Sequence, residues 1–157
     1  MKTDTEEKRD EALSFLVDHD IGVLATTSRA GEPHARTVYY TCDDSFKIYF
    51  ITLKNTRKAD DLLASPRAAF VVSQTDIPRT IQIEGVVSDL TETATLNPLI
   101  SDFVHKLSEE TEYGIPLTHL DASELKFYCL TPTWIRWGEF TFEEGTDKVL
   151  TEVRPAA

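Results

Sequence analysis

The sequence predicts a mainly β domain with a few peripheral helices, arranged as a small closed or nearly closed antiparallel barrel. Three observations predict it. About six strand-like runs are separated by turn signals, at the spacing of small barrels. Helical periodicity is confined to short stretches. No strand–helix–strand alternation of the kind that builds a parallel sheet is present. The 157 residues fit one domain, spanning 1–157, and leave no room for two ordinary ones.

Each element follows in order. Thr3 and Glu6 form a capping-box pattern, and Ala12, Leu13, Leu16 and Val17 make an apolar stripe, so residues 1–20 hold an N-terminal helix. Ile21 to Thr27 reads as a strand, stopped by the turn residues Ser28 to Pro33. A second strand runs His34 to Cys42, with Arg36, Val38 and Tyr40 on one face and Ala35, Thr37 and Tyr39 on the other. Phe46 to Leu53 is a third, completing a meander. Asn55 or Thr56 can cap a short helix through Ala64, closed by Ser65-Pro66. Strands at Arg67 to Ser73 and Thr80 to Leu90 follow, and Gly85 inside the second marks a bulge or bend. Asn97-Pro98 starts a helix with Leu99, Ile100, Phe103, Val104 and Leu107 at helical spacing. Ser108 to Ser123, with Gly114 and Pro116, reads as a loop or short helical turns. The last strand runs Glu124 to Leu130 and resumes after Pro132 through Trp137. Residues 139–157 form an acidic, loose tail.

Charge narrows the partners. Lys and Arg number 16 against 27 Asp and Glu, a net charge of −11. That balance opposes general binding to nucleic acid or to an anionic membrane. It is uneven, however. Asp89 to Glu124 holds eight carboxylates and one Lys, whereas Arg36 to Arg67 holds six Lys and Arg against four carboxylates. A local basic cluster in an acidic chain suits a small anionic ligand. Cys42 and Cys129 show no metal-ligand spacing and read as buried thiols, one bridge between them remaining open. Residues 1–20 lack the apolar core of a signal peptide, and no apolar run is long enough to span a bilayer, so a cytoplasmic setting is expected.

The strongest local signal is Thr52 through Lys58, where a strand delivers a hydroxyl and a turn opens a helix bearing Thr56, Arg57 and Lys58. Free N–H groups at a helix start, a hydroxyl and two cations make a phosphate site. Cations at that end oppose the helix dipole, and a bound anion would remove the conflict. Alone, this stretch reads as a solvated basic turn. Arg36 changes the balance, because an inward-facing Arg on the preceding strand needs a partner and a phosphate is a good bidentate one.

Pro33-His34-Ala35-Arg36-Thr37-Val38, Ile48 to Thr52, Thr56-Arg57-Lys58-Ala59, Ser65-Pro66-Arg67-Ala68 and Ile83-Glu84-Gly85-Val86 occur in that order. The ordered set resembles the flavin-binding half of the pyridoxamine 5′-phosphate oxidase superfamily, including general-stress flavoproteins. It covers roughly Ile21 to Thr91, with an echo at Leu130 to Trp137. The resemblance implies a six-stranded Greek-key split β-barrel that forms a homodimer with flavin mononucleotide (FMN) at the subunit interface. By position, Arg36, Arg57 and Lys58 would hold the FMN phosphate, aided by Thr56. Thr37, Val38, Tyr39, Ile51 and Thr52 would line the ring and ribityl chain. Thr80 falls where relatives place a Gln near the ring, and Trp137, with Trp134 as its rival, falls near a Trp that relatives draw from the partner subunit. Core or interface packing is as good an account of both tryptophans.

Two departures matter. Thr41 stands where the oxidase has a substrate-phosphate Lys, and the chain stops before the Arg- and His-bearing segment that completes that substrate site, so oxidation of pyridoxamine phosphate itself is not expected. The leading expectation is a flavin-dependent oxidoreductase acting on a small molecule, with no catalytic side chain singled out. Its alternatives are a non-catalytic flavin-binding sensor, store or stress protein, or a split-barrel binder of haem or a deazaflavin coenzyme. His19, His34, His105 and His119 lack metal-ligand spacing. His34 sits beside the expected groove, but a strand-start His is the plainer account. Cys42 has no base beside it in sequence, so a nucleophile is not expected.

Overall fold

The computed structural model describes residues 1–109, 121–140 and 150–155. Residues 110–120 of the loop expected over Ser108 to Ser123, with Gly114, Pro116 and His119, and residues 141–149 and 156–157 of the expected tail lie outside the described residues.

Thr3 caps helix α1, Asp4–Val17, through the reciprocal bonds with Glu6 that the sequence predicts. Its buried face is Ala12, Phe15 and Leu16, whereas Val17 is exposed. Strands β1 (Ile21–Thr27), β2 (Pro33–Cys42) and β3 (Ile48–Leu53) follow. β3 starts two residues later than expected because Phe46 has φ 61°, a left-handed backbone that no strand residue adopts. Helix α2 is Arg57–Ala64, capped by Thr56, and strands β4 (Arg67–Gln74) and β5 (Arg79–Asp89) come next. Helix α3, Pro98–Glu109, buries Ile100, Phe103 and Leu107, and is preceded by a 3₁₀ segment, Thr91–Leu96, that the sequence did not announce. β6 is one 15-residue strand, Leu125–Glu139. The C-terminal stretch expected to be loose carries a seventh strand, β7 (Leu150–Glu152), hydrogen-bonded to β6 and followed by the buried Val153.

All pairings are antiparallel, and around the barrel the order is β1-β2-β3-β6-β5-β4, with β4 returning to β1. Three hairpin-connected strands followed by a fourth beside the first is the Greek-key arrangement. Alternation sends Leu24, Phe70, Ile81, Ile83, Leu130 and Ile135 into one core, each at most 1 % exposed. No helix among the described residues is long and apolar enough to cross a membrane.

Two features position the site. The first is a split. β3 pairs with β2 only from Tyr40↔Phe50 to Cys42↔Ile48, yet stays on β6 through Leu53. β2 from Arg36 to Tyr39 therefore diverges from Ile51–Leu53, and α2 packs against β1 and β3 beside the opening. The second is the division of the barrel into two ends. α1 covers one, where Tyr40 OH donates to Leu16 O at 2.6 Å and Phe15 lies 5.0 Å from the Trp137 ring. α2 covers the other.

At the bulge between β5 and β6 the register shifts after Glu84, setting Gly85 against Pro132. A Cβ on Gly85 would lie 2.2 Å from the Thr131 carbonyl oxygen. Backbone cannot yield as a flexible side chain can. Gly85→Ala is accordingly expected to destabilise the fold by about 2 kcal/mol, read as a lower midpoint in urea unfolding; an unchanged midpoint would show that the bulge relaxes freely.

Candidate functional site

At the α2 end a linked polar cluster forms from three elements. Asp61, on α2 and only 4 % exposed, places one carboxylate oxygen, Oδ2, among three donors. Thr26 of β1 donates its hydroxyl at 2.6 Å, His34 of β2 donates Nδ1–H at 2.8 Å, and Arg36 of β2 donates Nη2–H at 3.2 Å. Arg36 Nη1 also donates to Thr26 Oγ1. On its far side His34 receives Arg57 Nη2 at Nε2. Burial by itself would raise the Asp61 pKa, but hydrogen bonds from Thr26, His34 and Arg36 outweigh it and hold the carboxyl below its ordinary value.

The local folding explains the convergence. The β1–β2 register puts Thr26 opposite His34 and Leu24 opposite Arg36, so inward-pointing positions on the two strands share one end. Asn55, in the left-handed region at φ 63°, turns the chain out of β3. Thr56 then caps α2, accepting from Ala59 N–H at 3.3 Å and lying 3.2 Å from the Thr52 hydroxyl. Arg57 and Lys58 occupy the first turn, and Asp61 falls one turn further on, facing the barrel.

Lys58 adds surplus charge. It is half-buried, has no hydrogen-bond or ion-pair partner among the described residues, and its pKa is lowered by burial and by the Arg36 guanidinium. Three cations thus surround one carboxylate. These four groups carry two positive charges in excess beside the split, an arrangement electrostatically suited to an anion.

The remaining residues singled out in the sequence divide by location. Ile51 is half-buried and Thr52 buried on the β3 side of the split, with Val38 buried on the β2 side. Thr37 is exposed and Tyr39 half-buried on the outer face of β2. Thr80 and Trp137 are not brought to the cluster by this chain. Thr80 lies toward the α1 end, 8 % exposed, its hydroxyl 3.0 Å from that of Ser73. Trp137 is a core residue, 3 % exposed, packed on Phe15, with Nε1–H 3.4 Å from Glu11. Its rival Trp134 is half-buried on the outer face of β6, its ring 5.6 Å from the Arg136 guanidinium. Two members of the cluster are not among the site residues the sequence singles out. His34 sits beside the expected groove with a strand-start role as its plainer account, and the only sequence signal for Asp61 is an acid beside the buried Leu62 of α2. Cys42 and Cys129 are free thiols rather than a bridge, and burial, with Asp43 nearby, pushes the Cys42 thiol up to about 12.

A Greek-key barrel split between β2 and β3, with cations gathered where a helix starts at the split, defines a split-barrel architecture. Residues 9–137 match the family model described as pyridoxamine 5′-phosphate oxidase, and the chain belongs to that family. Among curated relatives, a pyridoxine/pyridoxamine 5′-phosphate oxidase of Cupriavidus metallidurans is 29 % identical over 150 residues, covering 82 % of this chain and 71 % of its own. One from Bordetella avium is 42 % identical over 79 residues, 50 % of this chain and 38 % of that protein. Among solved structures, a putative pyridoxamine 5′-phosphate oxidase from Listeria innocua superposes with a TM-score of 0.66 at 20 % identity, covering 82 % of this chain and 96 % of that one. A heme binding protein from Mycobacterium smegmatis gives 0.67 at 19 % identity, over 99 % and 59 %. An F420 reductase gives 0.63 at 20 % identity, over 78 % and 94 %. These structural likenesses establish the shared fold.

Loss of the shared carboxylate has a measurable cost. Asp61→Ala leaves a half-buried Arg36 without its anionic partner and is expected to destabilise by about 2 kcal/mol in urea unfolding. Because its native pKa is lowered, Asp61 contributes its full stability above the ordinary aspartate value of about 4 and loses it as pH falls through the lower native value. Asp61→Asn should therefore flatten the decline of stability below about pH 4; an unaltered slope would show that the carboxylate is not held below its ordinary range.

Proposed function

We propose that this protein binds flavin mononucleotide, as one of a pair of subunits, and serves as a flavin-dependent oxidoreductase for a small molecule. The observation that carries the reading is the cation surplus: Arg36 and Arg57 are linked through Asp61 and His34, and Lys58 is held beside Arg36 with no carboxylate of its own. A phosphate dianion matches that surplus in charge, and the first-turn N–H groups of α2 add donors. Arg36, Arg57 and Lys58 would take the phosphate. The Thr56 hydroxyl is engaged as a helix cap, so its part would be to fix the turn that presents the two cations. Ile51, Thr52, Val38 and the β2 backbone at Thr37 and Tyr39 would line the remainder of the ligand along the split. When bound, the isoalloxazine supplies the hydride and electron chemistry; the chain's residues anchor it and keep water from one side.

Dimer formation is supported by the outer sheet face. Ile21, Val23 and Val86 are 39 %, 41 % and 42 % exposed there, with Val71 and Trp134 half-buried on the same face. Apolar side chains grouped on a strand face suit a subunit interface. Such a partner would also bring a second set of side chains, Trp134 among them, toward the split. Thr41 offers no cation for a substrate phosphate, which supports a substrate other than pyridoxamine phosphate. Haem is a poorer fit at this cluster, where both His34 ring nitrogens are engaged. A deazaflavin coenzyme carries a phosphate as well and would meet the same cations.

Purified protein is expected to show a flavin spectrum that survives dialysis, with FMN released on heating; a haem spectrum or a deazaflavin would overturn the FMN assignment. Arg57→Ala combined with Lys58→Ala should weaken FMN binding at least a hundredfold, since two charge-assisted contacts go. Unchanged affinity would remove the phosphate from this cleft. Anaerobic bleaching by NADH or NADPH separates an oxidoreductase from a passive flavin binder.

Lys58 also sets a pH dependence. A bound anion raises its lowered pKa back toward 10.5, so binding in the alkaline range takes up protons and affinity falls as pH rises through that range. Calorimetry in two buffers of different ionisation enthalpy should register net proton uptake in the wild type and none in Lys58→Met.

A further inference from the structure

The cluster contains a histidine and a carboxylate that make no direct claim on a ligand, and their geometry fixes more than the fold requires. Arg57 is exposed at the first turn of α2, where an arginine ordinarily samples many rotamers. Here one of its nitrogens is held against His34 Nε2. A guanidinium has only donors, so His34 must accept at Nε2 and therefore carry no proton there. Its other nitrogen, Nδ1, lies 2.8 Å from Asp61 Oδ2, and a carboxylate oxygen only accepts, so Nδ1 carries the proton. One tautomer satisfies both contacts. A doubly protonated ring would turn a second N–H toward the Arg57 donor and break that contact.

We propose that Asp61 and His34 are a positioning pair, in which the buried carboxylate fixes the imidazole as its Nδ1–H tautomer and the bare Nε2 holds the Arg57 guanidinium over the anion cleft. This rests on the anion-binding reading given above and states how that site is regulated and pre-organised. Asp61 orients both arginines, one directly and one through the ring. Arg36 is taken at 3.2 Å, and its other terminal nitrogen is tied to Thr26. Arg57 is taken at one remove. Both enter binding with their side-chain entropy already reduced, which is where pre-organisation gains affinity. The charged groups facing the ring are Asp61 and Arg57 from α2 and Arg36 from its own strand, with Lys58 beyond Arg36. The pair also leaves the cleft its surplus. A second carboxylate in the place of His34 would hold Arg57 equally well, but would cancel a charge that the ligand needs. A neutral imidazole holds the cation without neutralising it.

Two measurements test this. In protein labelled with nitrogen-15, histidine side-chain spectra at neutral pH should show His34 as the Nδ1–H tautomer; an Nε2–H tautomer or a charged ring would overturn the proposal. The second measurement compares FMN with riboflavin, which lacks the phosphate. His34→Phe should weaken FMN about tenfold and riboflavin by less than about twofold, the scale of one lost orienting contact to a charged group. In an Arg57→Ala background the same substitution should cost nothing further. His34→Gln keeps an acceptor within reach of Arg57 and should recover most of the FMN affinity, and it serves as the folded variant should Phe disrupt the end of β2. Equal losses for both flavins, or an undiminished loss in the Arg57→Ala background, would mean that His34 is structural. Inorganic phosphate, titrated in parallel by NMR, reads the same contrast without a flavin. Phosphate binding that depends on His34 through Arg57, in a protein indifferent to FMN, would overturn the flavin reading and leave the positioning pair standing.

Discussion

One buried oxygen organises the α2 end of this molecule. Asp61 Oδ2 accepts from β1 through Thr26 and from β2 through His34 and Arg36, while its own backbone belongs to α2. Charge so deeply enclosed is tolerated only when its lone pairs are satisfied, and here three donors satisfy one oxygen. The contact also fixes where α2 sits relative to the strands. Leu62, the next residue, joins the apolar core, so the same turn of helix places an anion against the cations and an aliphatic side chain against the barrel. Removing the carboxylate would loosen the helix and scatter the arginines together.

The split between β2 and β3 gives that anchor something to serve. A closed barrel of this size is filled by its own side chains and has no room for a ligand inside. Parting β2 and β3 after Tyr40↔Phe50 opens a crevice on the wall while β3 keeps its bonds to β6, so the backbone cost of the opening is confined to one strand pair. The opposite end takes the other task. Phe15, Tyr40 and Trp137 close it beneath α1, with aromatic contacts and a buried hydroxyl bond. The aromatic packing and the charged cluster are thereby lodged at opposite ends of the same strands.

Most of the barrel was legible in the sequence because its signals are local. Period-two burial, the Thr3 and Thr56 caps and the Gly85 bulge signal are each written within a few residues. Boundaries slipped where a single backbone angle overrode a strand-forming residue, as at Phe46. β7 was missed because three residues in a polar tail carry too little pattern to read as a strand. In the site, Arg36, Arg57 and Lys58 were recognisable as cations lacking partners. Asp61 and His34 were not, since their meaning lies in a contact across 27 residues of sequence. An acid flanked by Asp60 on a short helix reads as solvated until the strand that faces it is known. Trp137, for which the sequence left ligand contact and packing open, is 3 % exposed and packed on Phe15 beneath α1 in this chain.

The charge distribution closes the physical case for a small ligand. At physiological ionic strength fields are screened over about 8 Å, so the net charge of −11 and the local surplus at Arg36, Arg57 and Lys58 act on different partners. A polyanion must lie along many nanometres of surface and meets repulsion over most of it. A single phosphate group entering the cleft stays within a screening length of the three cations and feels little of the rest. The acidic exterior and the basic cleft are therefore not in conflict. The exterior opposes a polyanion, while Arg36, Arg57 and Lys58 together would attract a single small anion.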